Sequence, residues 1–141
     1  RAVVPIMKRQ GKGAIVHIGS IDGLIGMNGI CAYAAAKWGL RGLAKSNAME
    51  LGRAGIRVNT VCPAGGSGEM FAPWADKLAG MAQDTDFYLT NRGIPGETPF
   101  TAIANAVAYL ISDASENVTG IDLPVDGGAA AGCFMPGFNR A

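Results

Sequence analysis

Apolar and polar positions follow two distinct rhythms along this chain, and the switches between them lay out its elements. The opening residues, RAVVPIMKRQGKG, carry apolar side chains at helical spacing and stop at Gly11, like the closing turns of a helix. From Gly13, AIVHIGS is a short apolar run with β-branched residues between glycines, which predicts a buried strand. A glycine-rich loop runs on to about Gly29. CAYAAAKWGLRGLAKSNAMELGRAG is then built from strong helix formers, with Ala36, Leu40, Leu43 and Leu51 recurring at helical spacing and Gly55 as a stop signal. Immediately after it, IRVNTVC is a second β-rich run, ended by Pro63. Strand, helix, strand with short joints is a βαβ unit, which predicts parallel strands joined by a right-handed crossover.

Beyond Pro63 the pattern is irregular as far as about Pro99. That is too long for a simple connector, and such segments often form lids or binding loops. Met70, Phe71, Trp74, Met81, Phe87 and Tyr88 dot this stretch, some as local core and some suited to an apolar lid over a hydrophobic substrate. PFTAIANAVAYLISDA predicts an amphipathic helix, and TGIDLPVDGG a last strand with a turn at Asp126-Gly127-Gly128. Alternating strands and helices point to the α/β class, a doubly wound parallel sheet with both faces covered. The uncapped first helix reads either as an abrupt start or as the entry into the C-terminal half of something longer, and the second reading suits it better.

Composition narrows this picture. The chain has 141 residues, 49% hydrophobic and 16% charged, with a net charge of +1. Such near-neutrality gives no electrostatic reason to expect nucleic acid or an anionic membrane as partner. No apolar run is long enough to span a bilayer, and the first residues lack the order of a signal peptide. Three cysteines, Cys31, Cys62 and Cys133, show no metal-ligand spacing, so no metal is expected; buried thiols in a reducing cytoplasm are the plain reading. Glycine, at 21 of 141 residues, is roughly twice its usual share and punctuates well-formed apolar segments, marking turns and close backbone approaches.

Candidate chemistry gathers at one edge. Ligands of an open parallel sheet bind at the carboxyl ends of its strands. Ser20 lies at that end of the first strand, Tyr33 in the first turn of the crossover helix, and Lys37 one turn later on the same helix face. Pro63 and the glycines after it leave the second strand at the same rim. A free tyrosine has a pKa of about 10 and is a poor base near neutrality. An ammonium beside it favours the phenolate, and a serine hydroxyl opposite can hold a substrate oxygen against the phenol. This is equipment for moving a proton on and off an oxygen, suited to ketone–alcohol interconversion if something else carries hydride. Singly, each residue has a plainer role: a turn-forming serine, a core tyrosine, a solvated lysine. Jointly they are rare, since chance supplies about 0.1 Tyr-x-x-x-Lys pairs and roughly 0.004 with a serine thirteen positions upstream.

With these residues the chain resembles the short-chain dehydrogenase/reductase family over nearly its whole length, through GAIVHIGS, YAAAKWGLRGLAKSNAMELGRAGIRVNTVCP and SDASENVTGIDLPVDGG. The resemblance implies that Tyr33 is the catalytic acid/base, that Lys37 supports it and binds the nicotinamide ribose, and that Ser20 positions the substrate oxygen. It implies NAD or NADP as cofactor, held by Tyr33, Lys37, Pro63, Ala64, Gly65, Gly66, Ser67 and Gly68. It further implies a small apolar alcohol or ketone as substrate, of the hydroxysteroid or cyclic-alcohol kind, met by Ser20, Ile21, Asp22, Met27, Tyr33, Met70 and Trp74. The family's dinucleotide fingerprint, its NAD-or-NADP selector and its active-site Asn fall upstream of the equivalent of Arg1. The chain therefore matches the catalytic half of one such domain, without the N-terminal dinucleotide-binding half, and is expected to be inactive alone. Pro63-Ala64 stands where the family has Pro-Gly, and Gly68 where it has a hydroxyl residue, with Ser67 adjacent.

Other residues keep two readings. His17, the sole histidine, is expected to make a structural hydrogen bond more readily than to serve catalysis. Asp22 either borders the substrate or forms a turn, and Asn59 is expected to serve the backbone. The helix of residues 32–53 is apolar on more than one face, through Ala34, Ala35, Trp38, Leu43 and Met49, and the tail GGAAAGCFMPGF is apolar as well. Both predict a second partner, and the resemblance implies a homo-oligomer, a dimer or tetramer. Two other functions stay open: a non-catalytic fragment or scaffold of the same fold, and a family member performing dehydration or epimerisation.

Overall fold

A computed structural model of the chain describes residues 2–65, 72, 76, 80 and 89–138. Helix α1, Val4–Gln10, starts with a proline in its first turn, carries Lys8 and Arg9 in its last, and closes on Gly11 at φ 68°. Strand β1, Gly13–Ile18, follows at once. Helix α2, Cys31–Leu51, crosses to strand β2, Ile56–Pro63; helix α3, Phe100–Ile111, leads into strand β3, Asp122–Val125. The three strands are parallel in the order β1-β2-β3, and their register sets His17 beside Thr60 and Thr60 beside Asp122. Among the described residues, no strand pairs with the outer edge of β1.

Alternation along β2 separates the two faces of the sheet. Ile56 and Val58 point toward α1 and α2, where Ala44, Ala48 and Leu51 pack on them with Val4, Met7 and Ile15. Two alanines at the contact let α2 lie close to the strands. Arg57 and Asn59 point the other way, toward α3 and its exit. The Arg57 guanidinium donates to the carbonyls of Leu110 (2.7 Å) and Ser112 (3.1 Å) and to Ser115 Oγ (2.9 Å), satisfying the open carboxyl end of α3. Asn59 serves the backbone as expected, donating to the Val118 carbonyl (2.8 Å) and accepting from the Ile121 amide (3.1 Å). Along α3, Ala102, Ile103, Ala106, Val107 and Leu110 turn inward, a clean amphipathic stripe. The joint at Gly55 depends on glycine: φ is 72°, and a Cβ there would collide with the Gly11 carbonyl.

Two expectations need correcting. The inward row of α2 is Lys37, Arg41, Ala44, Ala48 and Leu51, while Ala36 and Leu43 are exposed and Leu40 is half-buried. Apolarity misassigned the face because this helix has apolar residues nearly all round and two of its inward positions are cationic. Of the cysteines only Cys62 is buried; Cys31 opens α2 on its solvent side and Cys133 lies in the tail. Burial pushes the Cys62 thiol above its ordinary range. No described helix is long and apolar enough to cross a membrane.

Candidate active site

The carboxyl end of β1 places the first polar group. Gly19 donates its amide to the Val61 carbonyl (2.7 Å), and a Cβ on it would lie 2.8 Å from Thr60 Cγ2 and 2.9 Å from Cys62 Sγ. Only glycine lets the chain leave the strand so close to β2. Ser20, 7% exposed, then heads the tight 3₁₀ turn Ile21–Gly23. Its Oγ accepts from the Asp22 amide (3.1 Å) and donates to Asp22 Oδ2 (3.1 Å). The other carboxylate oxygen, Oδ1, is buried with no partner among the described residues.

Helix α2 supplies the rest. Tyr33 stands in its first turn, 47% exposed. One turn on, Lys37 Nζ donates to the Ile18 carbonyl (3.0 Å) and lies 5.5 Å from the centroid of the Tyr33 ring. The lysine thus ties the start of α2 to the strand end that carries Ser20. A further turn along, Arg41 donates to the Gly23 carbonyl and to Asp122 Oδ2, the latter at 3.0 Å, and its guanidinium stacks on Trp38 at 4.9 Å. Lys45 completes the row, bonding Asp122 Oδ2 (2.8 Å) and the Gly120 carbonyl (2.9 Å). Burial opposes the charge on Asp122, but the bonds and positive charges of Arg41 and Lys45 outweigh it and hold the carboxyl below its usual range.

Lys37, Arg41 and Lys45 are a cationic row at i, i+4 and i+8 that locks β1, the Ser20 turn and β3 under one helix. Arg41, Lys45 and Asp122 were not among the residues singled out from sequence. The signal was there, since three cations one turn apart on an otherwise apolar helix mark a face with polar partners.

At the neighbouring rim Pro63 is half-buried. Ala64 is fully buried, with its amide on the Val125 carbonyl (3.2 Å) and its own carbonyl accepting from Thr98 Oγ1 (2.6 Å). Gly65 has φ 71°, a left-handed conformation that favours glycine, and a Cβ there would meet only Leu89 Cδ2, at 3.7 Å, among the described residues. Ile21 is buried and Met27 is exposed on the loop. Gly66, Ser67, Gly68, Met70 and Trp74 lie outside the described residues, as do Phe71, Met81, Phe87 and Tyr88 of the suggested lid.

The hydrogen bond expected of His17 is not made by its Nε2, which is buried without a partner among the described residues, like Thr60 Oγ1 beside it. In that sheet row the Asp122 carboxylate is turned to Arg41 and Lys45 instead. A cavity of about 370 Å³ opens at the opposite rim, lined by Lys12, Gly55, Arg57 and Glu116 among others and by none of the candidate site residues. No group of three or more His, Cys, Asp or Glu placed to hold a metal occurs among the described residues.

The sequence and the fold are similar to those of known proteins. The sequence model of the enoyl-(acyl carrier protein) reductase family matches residues 1–130. A 3-alpha-(or 20-beta)-hydroxysteroid dehydrogenase of Mycobacterium tuberculosis is 42% identical over 132 residues, covering 94% of this chain and 46% of that protein. Among solved structures, an oxidoreductase of the short chain dehydrogenase/reductase family from Burkholderia thailandensis superposes with a TM-score of 0.82 at 36% identity, over 94% of this chain and 50% of that one. A gluconate 5-dehydrogenase from Burkholderia cenocepacia J2315, in complex with NADP and tartrate, gives a TM-score of 0.83 at 28% identity, over 93% and 50%. The chain spans about half the length of the relatives it matches.

Proposed function

This chain belongs to the short-chain dehydrogenase/reductase family, and from that premise we propose that its protein interconverts a secondary alcohol and a ketone, with NAD or NADP as cofactor. The observation that carries the proposal is the placement of Lys37, bonded to the Ile18 carbonyl and set against the Tyr33 ring at the strand end that presents Ser20. In this reading the 141 residues are the catalytic half of one domain, in keeping with their span of about half of each relative.

The chemistry divides among named groups. Tyr33 takes the hydroxyl proton of the alcohol, or returns it to the carbonyl oxygen, at its phenol oxygen. Lys37, cationic and close to the ring, stabilises negative charge on that oxygen as the proton leaves. Ser20 holds the substrate oxygen beside the phenol. A nicotinamide cofactor, when bound, would supply or accept the hydride. Lys37, Tyr33, the half-buried Pro63 and the left-handed Gly65 would hold such a group, whereas Ala64 is fully buried with its backbone polar atoms engaged and offers it no surface. The unpaired thiols suit a reducing cytoplasm. The exposed Trp38, Leu43 and Met49 on the outer side of α2 favour assembly with a second copy, as a dimer or tetramer.

Tyr33→Phe in the whole protein is the direct test. Turnover should fall by about 10³-fold or more, the usual scale for losing a general acid–base group, while dinucleotide affinity stays near wild type. Substantial alcohol oxidation by the Phe variant refutes the assignment.

A further inference from the structure

Ser20 and Asp22 are bonded to each other in a way that constrains what can bind beside them. A serine hydroxyl has one hydrogen and two lone pairs. Here the hydrogen goes to Asp22 Oδ2 and one lone pair accepts the Asp22 amide, both at 3.1 Å. The turn Ile21–Gly23 is itself pinned, because Arg41 of α2 donates to the Gly23 carbonyl. The pair is therefore a closed ring on a fixed frame. A ketone offers only lone pairs, and an alcohol must keep its hydrogen for Tyr33. Either one needs the Ser20 hydrogen and can take it only from Asp22.

That transfer leaves the carboxylate short of donors. Oδ1 is already buried without a partner among the described residues, and Oδ2 then loses its bond from Ser20. A half-buried carboxylate with neither oxygen bonded is unfavourable by the full strength of a lost charge-assisted hydrogen bond. A substrate can repair this if it carries a second hydroxyl next to the reacting oxygen. The Ser20 Oγ and Asp22 Oδ2 sites are 3.1 Å apart, close to the separation of adjacent oxygens on neighbouring carbons. The reacting oxygen takes the hydrogen from Ser20 while the neighbouring hydroxyl donates its own to Asp22.

We propose that Asp22 is a specificity-determining residue that selects vicinal diols and their α-hydroxy ketones over simple alcohols and ketones. The inference rests on the alcohol–ketone reading above and deepens it. Of the two roles left open for Asp22 it combines both, since the turn-forming amide bond is what aims the carboxylate at Ser20.

Cyclohexane-1,2-diol, in each of its isomers, and cyclohexanol are suitable probes with the whole protein and cofactor. For wild type, kcat/KM for the best diol isomer should exceed that for cyclohexanol by about tenfold, the worth of one hydrogen bond to a charged group. Asp22→Ala should bring the ratio to within about twofold, chiefly by improving cyclohexanol, which no longer competes for the Ser20 hydrogen. Asp22→Asn keeps an acceptor for Ser20 and should retain part of the preference, which guards against misfolding of the alanine variant. The Tyr33→Phe protein supplies a readout without turnover: by calorimetry it should still bind the diol more tightly than cyclohexanol. Equal selectivity in wild type and Asp22→Ala, with both active, overturns the inference and leaves the alcohol–ketone reading standing. No binding or turnover of either compound by wild type overturns both.

Discussion

Removing the charge of Asp122 tests whether the cationic row of α2 holds the site together. Asp122→Asn keeps the shape and one acceptor but turns two ion pairs, with Arg41 at 3.0 Å and Lys45 at 2.8 Å, into bonds from a cation to an uncharged amide oxygen. Each such conversion loses about 1 kcal/mol. The Arg41 side chain is 19% exposed and should count nearly in full, whereas that of Lys45 is 49% exposed and its share is reduced by solvent screening. The expected loss is therefore about 1.5–2 kcal/mol, a fall in melting temperature of about 5 °C in a domain of ordinary size. Lys45→Met should cost under about 1 kcal/mol for the same reason.

The sign of the pH dependence follows from the direction of the shift. The folded carboxyl titrates below its unfolded value of about 3.9, so its contribution is complete above that pH and is lost as pH falls through the lower folded value. The gap between wild type and Asp122→Asn should therefore be widest above about pH 4 and narrow on acidification. Urea denaturation of the whole protein across pH 2.5–7 (about the range a carboxyl spans) measures it. A gap that stays constant into acid, or a Lys45→Met loss equal to that of Asp122→Asn, refutes the assignment of the energy to this pair.

Two further predictions concern packing. Gly19→Ala should destabilise by about 1–3 kcal/mol and impair turnover, because its Cβ has Thr60 Cγ2 at 2.8 Å and Cys62 Sγ at 2.9 Å. Adding Cys62→Ala should recover part of both, and no recovery in denaturation and rate measurements would discount the steric cause. Trp38→Glu with Met49→Glu should lower the oligomeric state of the whole protein in light scattering, since both side chains stand outward on α2, Met49 at 84% exposure; an unchanged assembly would place the interface elsewhere.

Most of the fold was legible because its elements announce themselves by local chemistry. Gly11 and Gly55 take left-handed conformations that end a helix and a 3₁₀ turn, and the β-branched runs at 13–18 and 56–63 leave no competing periodicity. The topology then places Ser20, Tyr33 and Lys37 near one edge, which is why their spacing was informative without any coordinates. What failed was the inward face of α2. A helix with apolar residues on every side does not reveal its buried stripe, and of its three cations only Lys37 was given a role from sequence. Lys37 and Arg41 are inward because of what lies beneath them: the Ile18 carbonyl at a strand end, the Gly23 carbonyl in a turn, and an aspartate some eighty residues away on β3 that the more exposed Lys45 also reaches. None of these acceptors is local in sequence, so the one-turn spacing of the cations marks a row with partners without showing what those partners are. Asp22 differs, since its partner Ser20 is only two residues away: its turn role and its place beside Ser20 were legible, but not that the serine hydroxyl donates to the carboxylate. The residues hardest to read were those whose partners are supplied by the assembled sheet: Lys37, bonded to the end of β1, and Arg41, bonded to the turn after β1 and to β3.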